Sequence, residues 1–300
     1  MMNKKVYSLK RKTRLSGISM FIIYVVLFMY AFATVYPFYN VIVLSFATEA
    51  AVIRDPLMLW PKEFSYASYQ VMLGDKNFIG AFLNSVFVVT TGTAYSIILT
   101  VCCAYVLTKT HVKGINILFR MVIFTMFFGG GLIPTYLNIY NLGLINTFGA
   151  IILPAGINTF YMILMINAMR DIPAELDESA RMDGANDIHI LVRVFLPLCL
   201  PTLMAIMLFY IVDKWNEWYS VMLYINTSER FTMTYILRSM LLRITNAADP
   251  SNQALLTQRR VYAKGLQRAA IICTVLPIMV IYPFIQKYFA KGIMVGAIKG

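Results

Sequence analysis

Residues Gly17 to Phe46 pass without one ionised side chain, and that run constrains the fold of this chain more than any other feature. An α-helix rises about 1.5 Å per residue, so about 20 apolar residues cross the roughly 30 Å of hydrocarbon in a bilayer. Five further apolar stretches reach that length: about Ile79 to Leu107, Ile115 to Leu137, Leu144 to Ala168, Leu198 to Ile225 and Ala269 to Tyr288. The expectation is an all-α polytopic membrane protein, six transmembrane helices in a single domain over residues 1–300. Composition agrees, because 59% hydrophobic and 13% charged residues exceed what a soluble core requires. The first run is too long for the apolar core of a signal peptide and lacks a small-residue cleavage site, so it is expected to remain as an anchor.

Orientation follows from lysine and arginine placement. MMNKKVYSLKRKTR carries six positive charges and no acid, which puts the tail 1–16 in the cytoplasm. Residues 47–78, with three basic and four acidic side chains, then fall outside, and Lys109, Lys113 and Arg120 mark an inside turn. Residues 138–143 form an uncharged outside turn, while 170–197 and the tail with Lys287, Lys291 and Lys299 fall inside. One segment disagrees. Residues 226–268 carry seven basic side chains and two acids, yet six spans place them outside; the N-terminal cluster and the short turns take precedence.

Several chemistries are disfavoured. Cys102, Cys103, Cys199 and Cys273 lie in or beside apolar runs with no CxxC or Cys/His cluster, so they read as packing residues. His111 and His189 stand alone, which leaves no metal set. The net charge of +12 is spread over the termini and one loop without an aromatic-interleaved basic face. It suits anionic lipid heads of the membrane and gives no sign of nucleic acid.

The stretch 177–197, DESARMDGANDIHILVRVFLP, holds six ionised side chains in an otherwise apolar chain. Pro173 suits the first turn of a short helix, and Glu175, Asp177 and Glu178 suit its N-terminal dipole. Asp177 or Glu178 can pair with Arg181, four or three residues on. Gly184 sits where a helix stops in a left-handed conformation, and Asn186 or Asp187 can cap a second helix through Ile188, Leu191, Val192 and Phe195 to Pro197. The result is a helix, turn, helix ledge at the cytoplasmic face, tied to spans four and five. From the residues alone, it is either a docking ledge or an ordinary charged loop.

Glu178, Ser179, Ala180, Asp183, Gly184, Ala185, Val194, Leu196 and Pro197 resemble, at fixed spacing, the EAA motif of importer permeases of the ATP-binding cassette class. Ser179 stands where alanine is usual and Val194 where isoleucine is usual. PAELDESARMDGA, WNEWYSVMLYI and YPFIQKYFAKGIMVGAIKG are similar to the carbohydrate-uptake branch, the maltose-permease-like inner-membrane subunits. FFGGGLIPTYLNIYNLGLINT resembles its subgroup for complex oligosaccharides and polysaccharide fragments. The resemblance implies a noncatalytic six-helix permease in a bacterial cell membrane, paired with a second, homologous permease. It also implies two copies of a cytoplasmic ATPase that hold the ATP and Mg, and an extracytoplasmic solute-binding protein. The ledge, by that resemblance, inserts into a cleft on the ATPase.

The sequence itself contains no G-x-x-x-x-G-K-[ST] and no Gly-Lys dipeptide, so no phosphate-binding loop is present. HExxH and GxSxG are also missing, which argues against an intramembrane hydrolase. A secondary transporter, the other rival, is expected to show repeated broken helices around a midplane ionisable cluster. Only the fifth run approaches this, with Asp213, Lys214 and Glu217 in DKWNEW. Charged groups at about 2.5–3.5 kcal/mol each are expected to avoid lipid. Lys214 and Glu217 are spaced to pair.

Either the cluster anchors the helix at the outer interface with Trp215 and Trp218, or Trp215, Asn216 and Glu217 line a solute path. Asn84, Asn158 and Tyr161 are weaker candidates for that path and could equally be glue between helices. Gly129 to Gly131 interrupt the third run, and close packing against a neighbour is favoured over a flexible gate. Residues 226–268, with TNAADPSNQ at their centre, are expected to form an outer cap that meets the binding protein.

Overall fold

The computed structural model describes residues 17–109, 112–245 and 263–297, and it divides at Ser65 into two units. The basic tail 1–16, His111, Lys299 and all but the first residue of TNAADPSNQ lie outside the described residues. In the first unit, α1 (Gly17–Ser45) leads to α2 (Glu49–Arg54). Thr48 caps α2 by accepting from the Ala51 N–H at 3.3 Å, and a bridge joins Ala47 to Phe64. α1 is apolar on every face, as a membrane-spanning helix can be.

In the second unit, α3 (Ala67–Gly74) precedes α4 (Lys76–Thr108), a single helix of 33 residues whose first turn is capped by the Asp75 carboxylate. α4 is central because of its small side chains. Ala81, Ser85, Gly92, Ser96, Thr100 and Ala104 are buried along one face at close to four-residue spacing, letting neighbouring backbones approach. Against that face lie α8 (Thr159–Arg170) and α12 (Leu200–Asn216). Met162, Met165 and Ile166 of α8, Ile206 and Tyr210 of α12, and Ala104 form one core. A second core gathers Met72, Phe78, Val89 and Trp215 with Ala269 and Ala270 of α15 (Ala263–Ala297).

Six continuous spans are not what the described residues form. Three helices are long and apolar enough to cross a membrane: Ile18–Ser45, Lys76–Thr108 and Lys264–Pro283. Two bent pairs bring the number to five at most. The third expected span is α5 (Ile115–Phe127) and α6 (Leu132–Asn141), meeting at 114°. Gly131 takes φ +85 at the bend, and a Cβ at Gly129 or Gly130 would meet nothing within 4 Å. The expected close packing is not made within this chain at these glycines, and Gly131 makes the corner.

The fourth expected span is also split, into α7 (Gly149–Ile152) and α8 with a non-helical link between them. Here Gly156 does serve close packing, since a Cβ would lie 2.6 Å from the Tyr95 ring of α4. The fifth is α12 followed, after an extended Glu217, by α13 (Tyr219–Tyr224). Within residues 226–268 the described part includes a helix. α14 (Met233–Thr245) packs on α4 and α15, with Met233 buried beside Trp215.

Candidate functional site

The charged stretch folds as two short helices at a turn. α9 (Ala174–Met182) ends in a Schellman arrangement: the Gly184 N–H bonds to the Arg181 carbonyl and the Ala185 N–H to the Ala180 carbonyl, both at 3.0 Å. Gly184 has φ +82, the left-handed conformation that a residue without Cβ adopts freely. Asn186 then caps α10 (Asp187–Ile190), accepting from the His189 N–H at 2.8 Å. A π turn, Leu191–Phe195, leads into α11 (Leu196–Leu198), and the path turns by 87° into α12.

The motif residues divide by exposure. Ala180, Ala185, Val194 and Leu196 pack against the core around α8 and α12. Glu178, Ser179, Asp183, Gly184 and Pro197 are exposed, and so are Met182 (88%) and Ile188 (73%), the most exposed large apolar side chains on the ledge. Ala180, Asp183, Gly184, Ala185 and Val194 line one shallow groove of about 390 Å³.

A charge network that spacing could not show ties the ledge to the end of α4. The Lys109 ammonium, 2.6 Å from Asp177 Oδ2, lies 4.4 Å from the centre of the Tyr105 ring and 5.1 Å from that of Phe195. Arg181 Nε stands 3.2 Å from Asp177 Oδ1, as the four-residue spacing allows; Glu178 has no ion pair among the described residues. Arg181 also pairs with Asp187, to which the Tyr105 hydroxyl donates at 3.1 Å. The Arg181 guanidinium, and after it the Tyr105 hydroxyl, hold the Asp187 carboxyl below the usual carboxylate range, so it is ionised at neutral pH. The ledge was expected to be tied to spans four and five; the second span holds it too. Arg170, at the end of α8, adds a bond to the Leu107 carbonyl at 3.5 Å.

At the other end of α12, the polar cluster surrounds a cavity of about 440 Å³ lined by Asn158, Tyr210, Asp213, Lys214, Asn216, Glu217, Trp218 and Tyr219, among others. Lys214 and Glu217 do not pair. Lys214 is 5% exposed, its ammonium donates to the Ala155 carbonyl at 2.9 Å, and its stem runs past Gly92 of α4, where a Cβ would meet Lys214 Cδ at 3.3 Å. The tertiary break at residues 153–158 supplies the acceptor that pairing with Glu217 was expected to supply. Glu217 instead accepts from the Ser220 N–H at 2.8 Å and starts α13. Asp213 accepts from the Tyr161 hydroxyl at 2.8 Å. The Tyr210 hydroxyl, buried, meets Thr100 Oγ1 at 2.8 Å and receives the Asn158 N–H at 3.0 Å.

The path candidates separate accordingly. Asn216 is exposed at the cavity, and Glu217 is half-buried there. Trp215 turns away, 4% exposed, donating to the Thr274 carbonyl of α15 at 3.0 Å and meeting Phe82 edge to face. The Asn84 amide donates to the Glu229 and Phe231 carbonyls, and Asn158 Oδ1 caps α8 through the N–H groups of Phe160 and Tyr161. Both asparagines are thus engaged in structural contacts. Gly92, Ser96 and Thr100 are cavity supports that the hydropathy reading missed, although their four-residue spacing is visible in the sequence.

Comparison with known proteins places this architecture. The chain is 39% identical over 267 residues to protein LplC of Bacillus subtilis (strain 168), covering 89% of this chain and 90% of that one. It is 37% identical over 279 residues to the polygalacturonan/rhamnogalacturonan transport system permease protein YtcP of the same organism, covering 93% and 97%. Among solved structures it is similar to a bacterial ABC transporter involved in the import of the acidic polysaccharide alginate. That match has 30% identity and a TM-score of 0.84, and covers 91% of this chain and 96% of the other. A family model, the binding-protein-dependent transport system inner membrane component, matches residues 6–295. With broken apolar helices around a polar cavity and a capped charged ledge, this chain belongs to that family of multi-pass inner membrane transport components.

Proposed function

We propose that this chain is a permease subunit of an ATP-driven importer and moves oligosaccharides or polysaccharide fragments. The observation that carries the reading is the ledge. Its glycine turn is held by backbone bonds, Ala180 and Ala185 are turned into the core, and Glu178, Asp183 and two large apolar side chains are turned out, a surface built to be gripped. ATP and Mg are held by two copies of a separate ATPase that docks on this surface through the EAA residues. A second, homologous permease completes the path, and an extracytoplasmic solute-binding protein delivers the glycan. The cavity at Asn216, Glu217, Trp218 and Tyr219 is this chain's share of the path, where aromatic faces suit sugar rings and amide and carboxylate groups suit hydroxyls. Relatives that act on polygalacturonan and alginate favour a glycan as cargo. Both termini lie in the cytoplasm, and residues 226–268 face outside.

The test is purification of the tagged chain in mild detergent, then reconstitution with its partners. The feed is a mixture of arabino-oligosaccharides, oligogalacturonides and alginate oligosaccharides, read by mass spectrometry inside the vesicles. Recovery of an ATPase and a second permease, with ATP-dependent uptake of a glycan, is the expected result. A homodimer whose uptake follows an ion gradient would replace it with a secondary transporter. Orientation is read by Ser228→Cys in a cysteine-free background, which is expected to react with an impermeant thiol reagent from the outside.

A further inference from the structure

The chain offers two routes between the ledge and the cavity. The covalent one runs through α10, the π turn, α11 and the 87° bend into α12. It is interrupted repeatedly: the Leu196 N–H reaches back to the Leu191 carbonyl across the π turn, and Pro197 has no N–H to give. The backbone hydrogen-bond ladder along this route is therefore bent and interrupted by named causes, the π turn and Pro197. The other route is α4, helical without a break from Lys76 to Thr108. Near its middle, Gly92 receives the Lys214 stem, Ser96 Oγ meets the Ala155 carbonyl at 3.4 Å, and Thr100 meets Tyr210. Towards the other end, Tyr105, about 20 Å beyond Gly92 at about 1.5 Å per residue, holds Asp187, and Lys109, just past the last turn and about 25 Å beyond Gly92, holds Asp177.

We propose that α4 carries displacement between ledge and cavity, with Lys109 as the positioning residue that locks the ledge to it through Asp177. Lys109 is placed for this. Its ammonium touches α9 by charge and the π turn through the Phe195 ring, so a shift of either half of the ledge reaches the end of α4. The pair is mostly shielded, with side-chain exposures of 12% and 21%, where a charge-assisted bond is screened less than at an open surface. The inference rests on the importer reading above, since it supposes an ATPase moving the ledge.

A double-mutant cycle in the reconstituted complex tests it, using the same three-glycan mixture and the complex's own binding protein. The readout is glycan taken up per ATP hydrolysed, which a loss of folded protein alone does not change. Lys109→Met and Asp177→Asn are each expected to lower that ratio about tenfold while the ATPase stays bound. The double variant is expected to be no worse than either single, and Lys109→Arg to stay within about twofold of the parent. An unchanged ratio in both single variants overturns the proposal, as does a double variant with multiplied losses. Loss of the ATPase from the single variants also overturns it, because the pair would then be a docking strut. A parent complex that takes up no glycan while hydrolysing ATP sinks the importer reading itself, whereas normal parent uptake with unaffected variants sinks only the lock.

Discussion

α4 and α12 pack on each other, yet they are built in opposite ways. α4 keeps its ionised groups at or beyond its ends and lines one face with Ala81, Ser85, Gly92, Ser96, Thr100 and Ala104, so it runs unbroken through the core. α12 is 17 residues long, set between an 87° bend and an extended Glu217, and carries Asp213 and Lys214 in its last turn. The difference teaches where polar atoms can be afforded in such a chain. A continuous helix satisfies its own backbone and transmits force, whereas broken ends expose carbonyls and N–H groups that side chains and cargo can use. Lys214 on the Ala155 carbonyl and Glu217 on the Ser220 N–H are that use.

The strongest way to break the comparison is at Gly184, where the ledge leading to α12 turns. Valine has open space there but must adopt φ +82, at a cost of about 1–3 kcal/mol for a β-branched residue. Gly184→Val is expected to lower uptake roughly 10- to 100-fold with the permeases still in the membrane. Gly184→Asn, which tolerates the left-handed region, is expected to retain most of it. Full transport by the valine variant would reduce the ledge to an ordinary loop.

A smaller effect is expected at the tie between the two helices. Tyr210→Phe removes the hydroxyl that joins Thr100 to the Asn158 N–H, and interhelical bonds in membranes are worth about 0.6–2 kcal/mol. The melting midpoint of the detergent-purified complex should fall by a few degrees. An unchanged midpoint would mean that packing alone sets α12 against α4.

The smallest expected effect sharpens the role of the broken end. Asn216→Leu at the cavity is expected to weaken uptake by roughly two- to tenfold, the value of one hydrogen bond, with assembly intact. Normal uptake with unchanged concentration dependence would return the cluster to an anchoring role.

Much of the ledge was legible because its signals are local. Gly184 as a left-handed stop, Asn186 as a cap and Asp177 paired with Arg181 all act within a few residues. α1 and α4 were legible as uninterrupted apolar length, their ends falling within a few residues of the expected Gly17 to Phe46 and Ile79 to Leu107. The breaks in the fourth and fifth runs, and the direction of the one in the third, were not, because hydropathy counts apolar side chains and carries no information on direction. Gly129 to Gly131 announced an interruption but left open whether it packed or turned. Trp215 beside Asn216 shows the same limit, since neighbours on a helix point to different faces and only the position of α15 decides which face is core.

The sequence by itself determined membrane residence, helical class, the absence of a phosphate-binding loop and the turn at Gly184, because each depends on chain length in lipid or on contacts a few residues apart. The tertiary structure alone decided that Lys214 meets Ala155, 59 positions away, and that Lys109 meets Asp177, 68 positions away. A charge buried in an apolar chain must find a partner wherever the fold brings one, and nothing within a few residues of Lys214 or Lys109 names Ala155 or Asp177 as that partner.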